Sequence, residues 1–182
     1  MTDYFALLGE ARRPWLDPDQ LKEKYFARAR ERAADAQLNE GYRVLSDPKL
    51  RLRHLLMLEG VELKLGREIP AALANLFWET GNLLREIDRW LLKHGAATGA
   101  LSRALLIGER ASLEARLTKL EEQLNAACEA ELEQLQRIDR PILPNDMSEL
   151  IRLHDSLAYL GRLGEQVKEK RLEMTNANRE YE

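Results

Sequence analysis

"RARERAADAQLNEGYRVLSDP", residues 28–48, decides the fold. Leu21, Tyr25, Ala29 and Ala33 lead into it as an apolar stripe with the i, i+4 spacing of an amphipathic helix. Continued straight on from Ala36, the stripe meets Glu40 and Arg43, which are polar. The apolar set restarts two residues out of phase, at Leu38, Tyr42 and Leu45. Two residues are about 200° of helix, so one straight helix would split its apolar face. A turn near Ala33–Asp35 removes the conflict. It folds two helices antiparallel and brings Ala29 toward Leu38, Tyr25 toward Tyr42, and Leu21 toward Leu45. The stretch contains no Pro before the end and only Gly41 within it, so local propensity leaves a single kinked helix open as the alternative.

Outward from this hairpin every pattern is helical, because Leu, Ala, Glu and Arg dominate and no alternating strand pattern occurs. "DYFALLGE" predicts a short first helix capped by Asp3 and ended near Gly9. Asp17 and Pro18 suit the start of the second helix. "SDP" at 46–48 closes the third and opens a fourth that stops at Gly60. "VELKLGREIP", punctuated by Gly66 and Pro70, is the linker candidate. Beyond it stand three long amphipathic segments, separated by "AATGA" near 95–100 and by Pro141 and Pro144. Their apolar stripes can be buried only against one another, in an intramolecular antiparallel bundle or in a coiled-coil homodimer; the short breaks favour the bundle. The expected fold class is therefore all-α, a short-looped helical hairpin followed by a three-helix antiparallel bundle. The expected division is residues 1–62 and 63–182.

Composition narrows the function. A 45% hydrophobic content supplies a core, and a net charge of −3 argues against dedicated nucleic-acid binding, which uses a strongly basic face. The single cysteine, Cys128, excludes an intramolecular disulfide and any cysteine-rich metal site. No N-terminal stretch resembles a signal peptide, and no run reaches the ~20 apolar residues of a membrane span. The expectation is a cytoplasmic protein without membrane or nucleic-acid partners. His54, His94 and His154 are scattered over separate helices without acids or cysteines at ligand spacing. Ser102, Ser112, Ser148 and Ser156 belong to no nucleophile elbow, and no phosphate-binding loop occurs. No enzyme, metal or cofactor is expected.

Two faces carry possible partner chemistry. On the second helix Lys24, Arg28 and Arg32 recur at i+4 beside Lys22 and Arg30; they form either a docking stripe or a solvated face paired with Glu23 and Glu31. On the fifth, Leu73, Leu76, Phe77, Thr80, Leu84, Ile87 and Leu91 fall within about 100° and form the expected core stripe. Trp78 points away with Asn82, Arg85 and Arg89, while Glu79 and Glu86 lie further round beside Leu83 and Trp90. Trp78 is left either for a protein partner or for packing on the N-terminal domain.

The order of these motifs carries a resemblance. "DYFALLG" resembles the opening of J-domains. "LNEGYRVLSDPKLRLRHLLMLEG" resembles the third J-helix and exit helix of the HscB-type co-chaperones, and "IRLHDSLAYLGRLGEQVKEK" is similar to their last helix. The resemblance covers nearly the whole chain. It implies a co-chaperone that delivers an iron–sulfur scaffold protein to a DnaK-type ATPase chaperone, with a His-Pro-Asp tripeptide between helices two and three. Aligned on Leu21 and Tyr25, that tripeptide falls on Ala33, Ala34 and Asp35, of which only the aspartate matches. Alanine offers no imidazole for hydrogen bonding and lacks the fixed φ of proline. The resemblance further assigns Lys24, Arg28 and Arg32 to the chaperone side. It assigns Trp78, Glu79, Asn82 and Glu86 to the scaffold side, although Asn82 and the nearby arginines depart from the acidic character that the family implies there. The function expected is a degenerate HscB-like co-chaperone that binds and positions its partners, with chaperone docking weak or lost, as a monomer or homodimer. The alternative is a structural protein that reuses the scaffold for an unrelated partner.

Overall fold

A computed structural model of the chain describes residues 2–31, 35–63, 69–97, 99–138 and 140–179. Among these residues all regular structure is helical. The chain forms two compact units, Met1–Glu68 with Glu129–Ala158, and Ile69–Cys128 with Tyr159–Glu182.

The first unit opens with α1 (Tyr4–Leu8), whose N-cap Asp3 accepts from the Phe5 and Ala6 amides. Gly9, at φ 68°, closes it in the left-handed conformation that costs a side-chain-bearing residue most. α2 (Pro18–Glu31) starts where Asp17 Oδ1 accepts from the amides of Asp19 and Gln20, at 3.0 and 2.9 Å. α3 (Ala36–Ser46) starts where Asp35 accepts from the amides of Gln37 and Leu38. Two helices thus stand where a single kinked helix was the alternative. Leu21, Leu38 and Leu45 are buried in one cluster with Phe5 and Leu8, and Tyr25, Ala29 and Tyr42 pack against it. Of the expected facing pairs, Tyr25 and Tyr42 are in contact. Arg32, Ala33 and Ala34 lie outside the described residues.

α4 (Pro48–Leu58) follows directly, with Asp47 capping Leu50. It presents apolar residues on two faces. Leu55 joins the hairpin cluster, while Leu52 and Leu56 join a second cluster with Leu135, Leu150, Leu153 and Leu157. At roughly 1.5–3 kcal/mol for each fully buried leucine, this second cluster is a major share of the unit's stability. Residues 129–158, read from the sequence as part of a C-terminal domain, therefore pack with the N-terminal segment. Gly66 of the linker candidate lies outside the described residues.

The second unit contains α5 (Ala74–Ala96) and parts of α6 (Ala100–Arg137) and α7 (Met147–Arg179). Ion pairs fix the helix directions. Glu86 pairs with Arg116 and Lys93 with Glu109, so α5 and α6 run antiparallel. Phe77 faces Tyr159 at 6.2 Å and Lys170 pairs with Asp88 at 2.7 Å, so α5 and α7 run parallel. Arg171 joins α7 to α6 through Glu121 at 2.8 Å. The result is an up-down-up bundle around Leu83, Ile87, Trp90, Leu117, Leu160 and Val167.

One expectation needs correction. Leu83 and Trp90 were placed outside the α5 core stripe, yet both are buried, and Trp90 Nε1 donates to the Leu106 carbonyl at 3.1 Å. A helix in a three-helix bundle faces two neighbours, so its buried arc is wider than a single 100° stripe.

Candidate partner-binding faces

The basic face of α2 leans on the end of α1. Lys24 Nζ lies 2.9 Å from Glu10 Oε2 and donates to the Gly9 carbonyl at 3.3 Å. The Arg28 guanidinium covers Gly9 so closely that a Cβ there would sit 2.4 Å from one of its nitrogens. The partner of Lys24 is thus Glu10, fourteen positions earlier in the chain, where Glu23 and Glu31 were the alternative expected for a solvated face. Ammonium at the C-terminal carbonyl of a short helix is favourable in its own right. Lys22 and Arg30 are exposed.

Two buried polar residues organise this unit: Arg51, which the sequence reading passed over, and His54, which it weighed only as a metal ligand. Arg51 is 2% exposed; its Nε donates to the Pro14 carbonyl at 2.9 Å and its Nη1 to the Leu45 carbonyl at 2.6 Å. Burial pushes its pKa down to about 10, which still leaves it charged at neutral pH. His54 Nε2 accepts from the Tyr4 amide at 3.1 Å, and its ring stacks against Phe5. Burial lowers the His54 pKa, against the opposing pull of Asp3.

The outer face of α5 is the second candidate. Trp78 is 61% exposed, and its ring meets Phe77 edge-on at 5.5 Å. Glu79, Asn82 and Glu86 line a groove of about 430 Å³ between α5 and α6. The opposite wall supplies Arg116 and Lys119, which sequence reasoning missed. Their three-residue spacing, each one position before a buried leucine (Leu117 and Leu120), was the available signal. Arg116 Nη2 donates to Glu86 Oε1 at 3.0 Å, and that guanidinium holds the Glu86 carboxyl below its usual range. Of the residues assigned to the scaffold side, the structure places Glu79, Asn82 and Glu86 in one groove and Trp78 on the exposed surface of the same helix. Among the described residues no three His, Cys, Asp or Glu side chains gather as a metal site, and Cys128 is half-buried against the bundle core.

This combination, a capped helical hairpin on a leucine-rich exit helix with a three-helix bundle beyond it, defines an HscB-type fold. Two solved structures share it. Chaperone HscB from Vibrio cholerae superposes with a TM-score of 0.61 at 19% identity, over 95% of this chain and 99% of that one. The human co-chaperone protein HscB superposes with a TM-score of 0.51 at 16% identity, over 94% of this chain and 83% of that one. No protein-family model and no curated protein matches the sequence. Among the described residues no helix is long and apolar enough to cross a membrane.

Proposed function

We propose that this protein is an HscB-like co-chaperone homologue that acts by protein–protein binding in iron–sulfur cluster assembly or a related DnaK-type chaperone system. The fold, matched over 95% of the chain, is the observation that carries the reading. The α5 face around Trp78 serves as the scaffold-side surface, and the α2 face as a weak chaperone-side one. Ala33 and Ala34 stand where the resemblance places His and Pro, so stimulation of ATP hydrolysis in the usual way is absent. Electrostatic attraction through Lys24 and Arg28 steers an encounter without transmitting a conformational signal. The protein acts in the cytoplasm and catalyses nothing itself.

The test is affinity capture with the purified chain, followed by single-turnover ATP hydrolysis with any DnaK-type chaperone recovered. Recovery of that chaperone or of an iron–sulfur scaffold protein, with no acceleration of hydrolysis, is the expected result. A second reading, a structural protein reusing the scaffold for an unrelated partner, is favoured by the engagement of Lys24 with Glu10 and Gly9. Recovery of neither chaperone nor scaffold selects it.

A further inference from the structure

The groove between α5 and α6 is lined by four cations, Arg85, Arg89, Arg116 and Lys119, and by two carboxylates, Glu79 and Glu86. Glu86 is committed to Arg116. Among the described residues Arg85 and Arg89 make no salt bridge, and Arg89 acts on Glu86 only through space. Arg85 donates to the Asn82 amide oxygen at 2.6 Å and Arg89 to the Arg85 carbonyl at 3.3 Å, and neither acceptor carries a charge. Lys119 makes no salt bridge among the described residues. Elsewhere in the bundle Lys93, Lys170 and Arg171 each hold a carboxylate on a neighbouring helix. In a chain of net charge −3, a groove with four cations to two carboxylates is a local reversal of sign.

Trp78 lies on the same stripe. Offsets of four, seven and eleven residues put Asn82, Arg85 and Arg89 within about 60° of it around α5. Leu83 and Leu120 line the groove between the charges. An exposed indole beside arginines is the composition of an interface anchor.

We infer that this groove takes a carboxylate-bearing segment of a partner protein, which lays an apolar side chain against Trp78 and its Asp or Glu side chains against Arg85, Arg89 and Lys119. The inference rests on the proposed partner-binding role of this face and adds the charge of the partner. A nucleic acid fits less well, because the chain as a whole carries a net charge of −3 and a continuous phosphate backbone extends beyond the cationic groove.

The test uses three labelled amphipathic peptides that share one leucine pattern and carry Glu, Gln or Lys at all other positions. Their anisotropy is titrated with the full chain at low and at physiological salt. The Glu peptide is expected to bind about tenfold tighter than the Gln peptide, and the Lys peptide not at all. The double substitution Arg85→Glu with Arg89→Glu should remove that advantage, and Trp78→Ala should weaken the Glu peptide about tenfold or more. Arg137→Glu, which does not line the groove, should change nothing. Equal binding of the Glu and Gln peptides, or equal losses from Arg137→Glu and the groove reversals, overturns the inference. So does tighter binding of a single-stranded oligonucleotide in the same groove. If a scaffold protein is captured through Trp78 while the peptides are not discriminated by charge, the inference falls and the proposed function stands. If the Glu peptide binds as expected and neither chaperone nor scaffold is captured, the proposed function falls and the inference stands.

Discussion

The ring of Tyr25 stacks on that of Tyr42, with centroids 4.3 Å apart and planes 20° from parallel. The contact joins α2 to α3 seventeen positions apart in sequence, and the Tyr25 hydroxyl adds a hydrogen bond to Asn39 Oδ1 at 2.8 Å. Tyr25→Ala and Tyr42→Ala should each destabilise the first unit by about 1–3 kcal/mol, with a coupling of roughly 1 kcal/mol in the double-mutant cycle. Urea denaturation measures it. Additive single effects would show that the stacked pair does not hold the hairpin.

The two bundle tryptophans should separate cleanly. Trp90 is 0% exposed and its indole N–H is bonded to a carbonyl, so Trp90→Ala should cost about 3–5 kcal/mol. Trp78→Ala should leave helicity and thermal melting nearly unchanged, because most of its ring faces solvent. A marked drop in melting temperature for Trp78→Ala would remove that residue from the binding surface.

Gly9→Ala should destabilise by about 1–2 kcal/mol, for two reasons that act together. The left-handed φ strains any Cβ, and that Cβ would push aside the flexible guanidinium end of Arg28, a smaller cost. Thermal unfolding measures the loss. Arg28→Ala in the same background removes the collision and should return part of the loss, while the backbone strain stays.

His54 makes stability depend on pH. Only the neutral imidazole accepts from the Tyr4 amide, and its folded pKa lies below the ordinary value. The unfolded chain therefore binds a proton more readily than the folded one. This contribution is fully present above about pH 6.5 and is lost as pH falls through that value toward the lower folded pKa. Asp3 and Arg12 face the ring and pull in opposite directions. Urea midpoints compared between about pH 7.5 and pH 5.5 should fall less for His54→Gln than for the parent chain. An identical fall would assign the pH dependence to the carboxylates.

The parts of this molecule legible in the sequence are those whose signal is local. The phase shift between Ala33 and Leu38 revealed the hairpin, and Asp3, Gly9, Asp17 and Pro48 marked helix ends because caps are set by adjacent backbone. The two-faced role of α4 was not legible, since Leu52, Leu55 and Leu56 form one apolar run and do not say which partners divide it. Trp90 and Leu83 were misplaced because a single-stripe count assumes one neighbour. The roles of Arg51 and His54 escaped notice for another reason: their partners, Pro14 and Tyr4, are backbone groups far away in the chain, and any residue could have supplied them. On the candidate site, Trp78 was legible as the side chain that the core did not need. Arg116 and Lys119 were not, because only the pairing of α6 with α5 brings them to the same groove.

Asp35 carries a lesson for reading such sequences. Its carboxylate accepts from the amides of Gln37 and Leu38, so α3 uses it to begin. A helix start selects aspartate for that task whatever else the protein does. The surviving letter of the tripeptide is thereby explained without any chaperone. A motif scan that gave partial credit for it would be counting a cap as a vestige, and the diagnostic weight belongs wholly to the two positions before it.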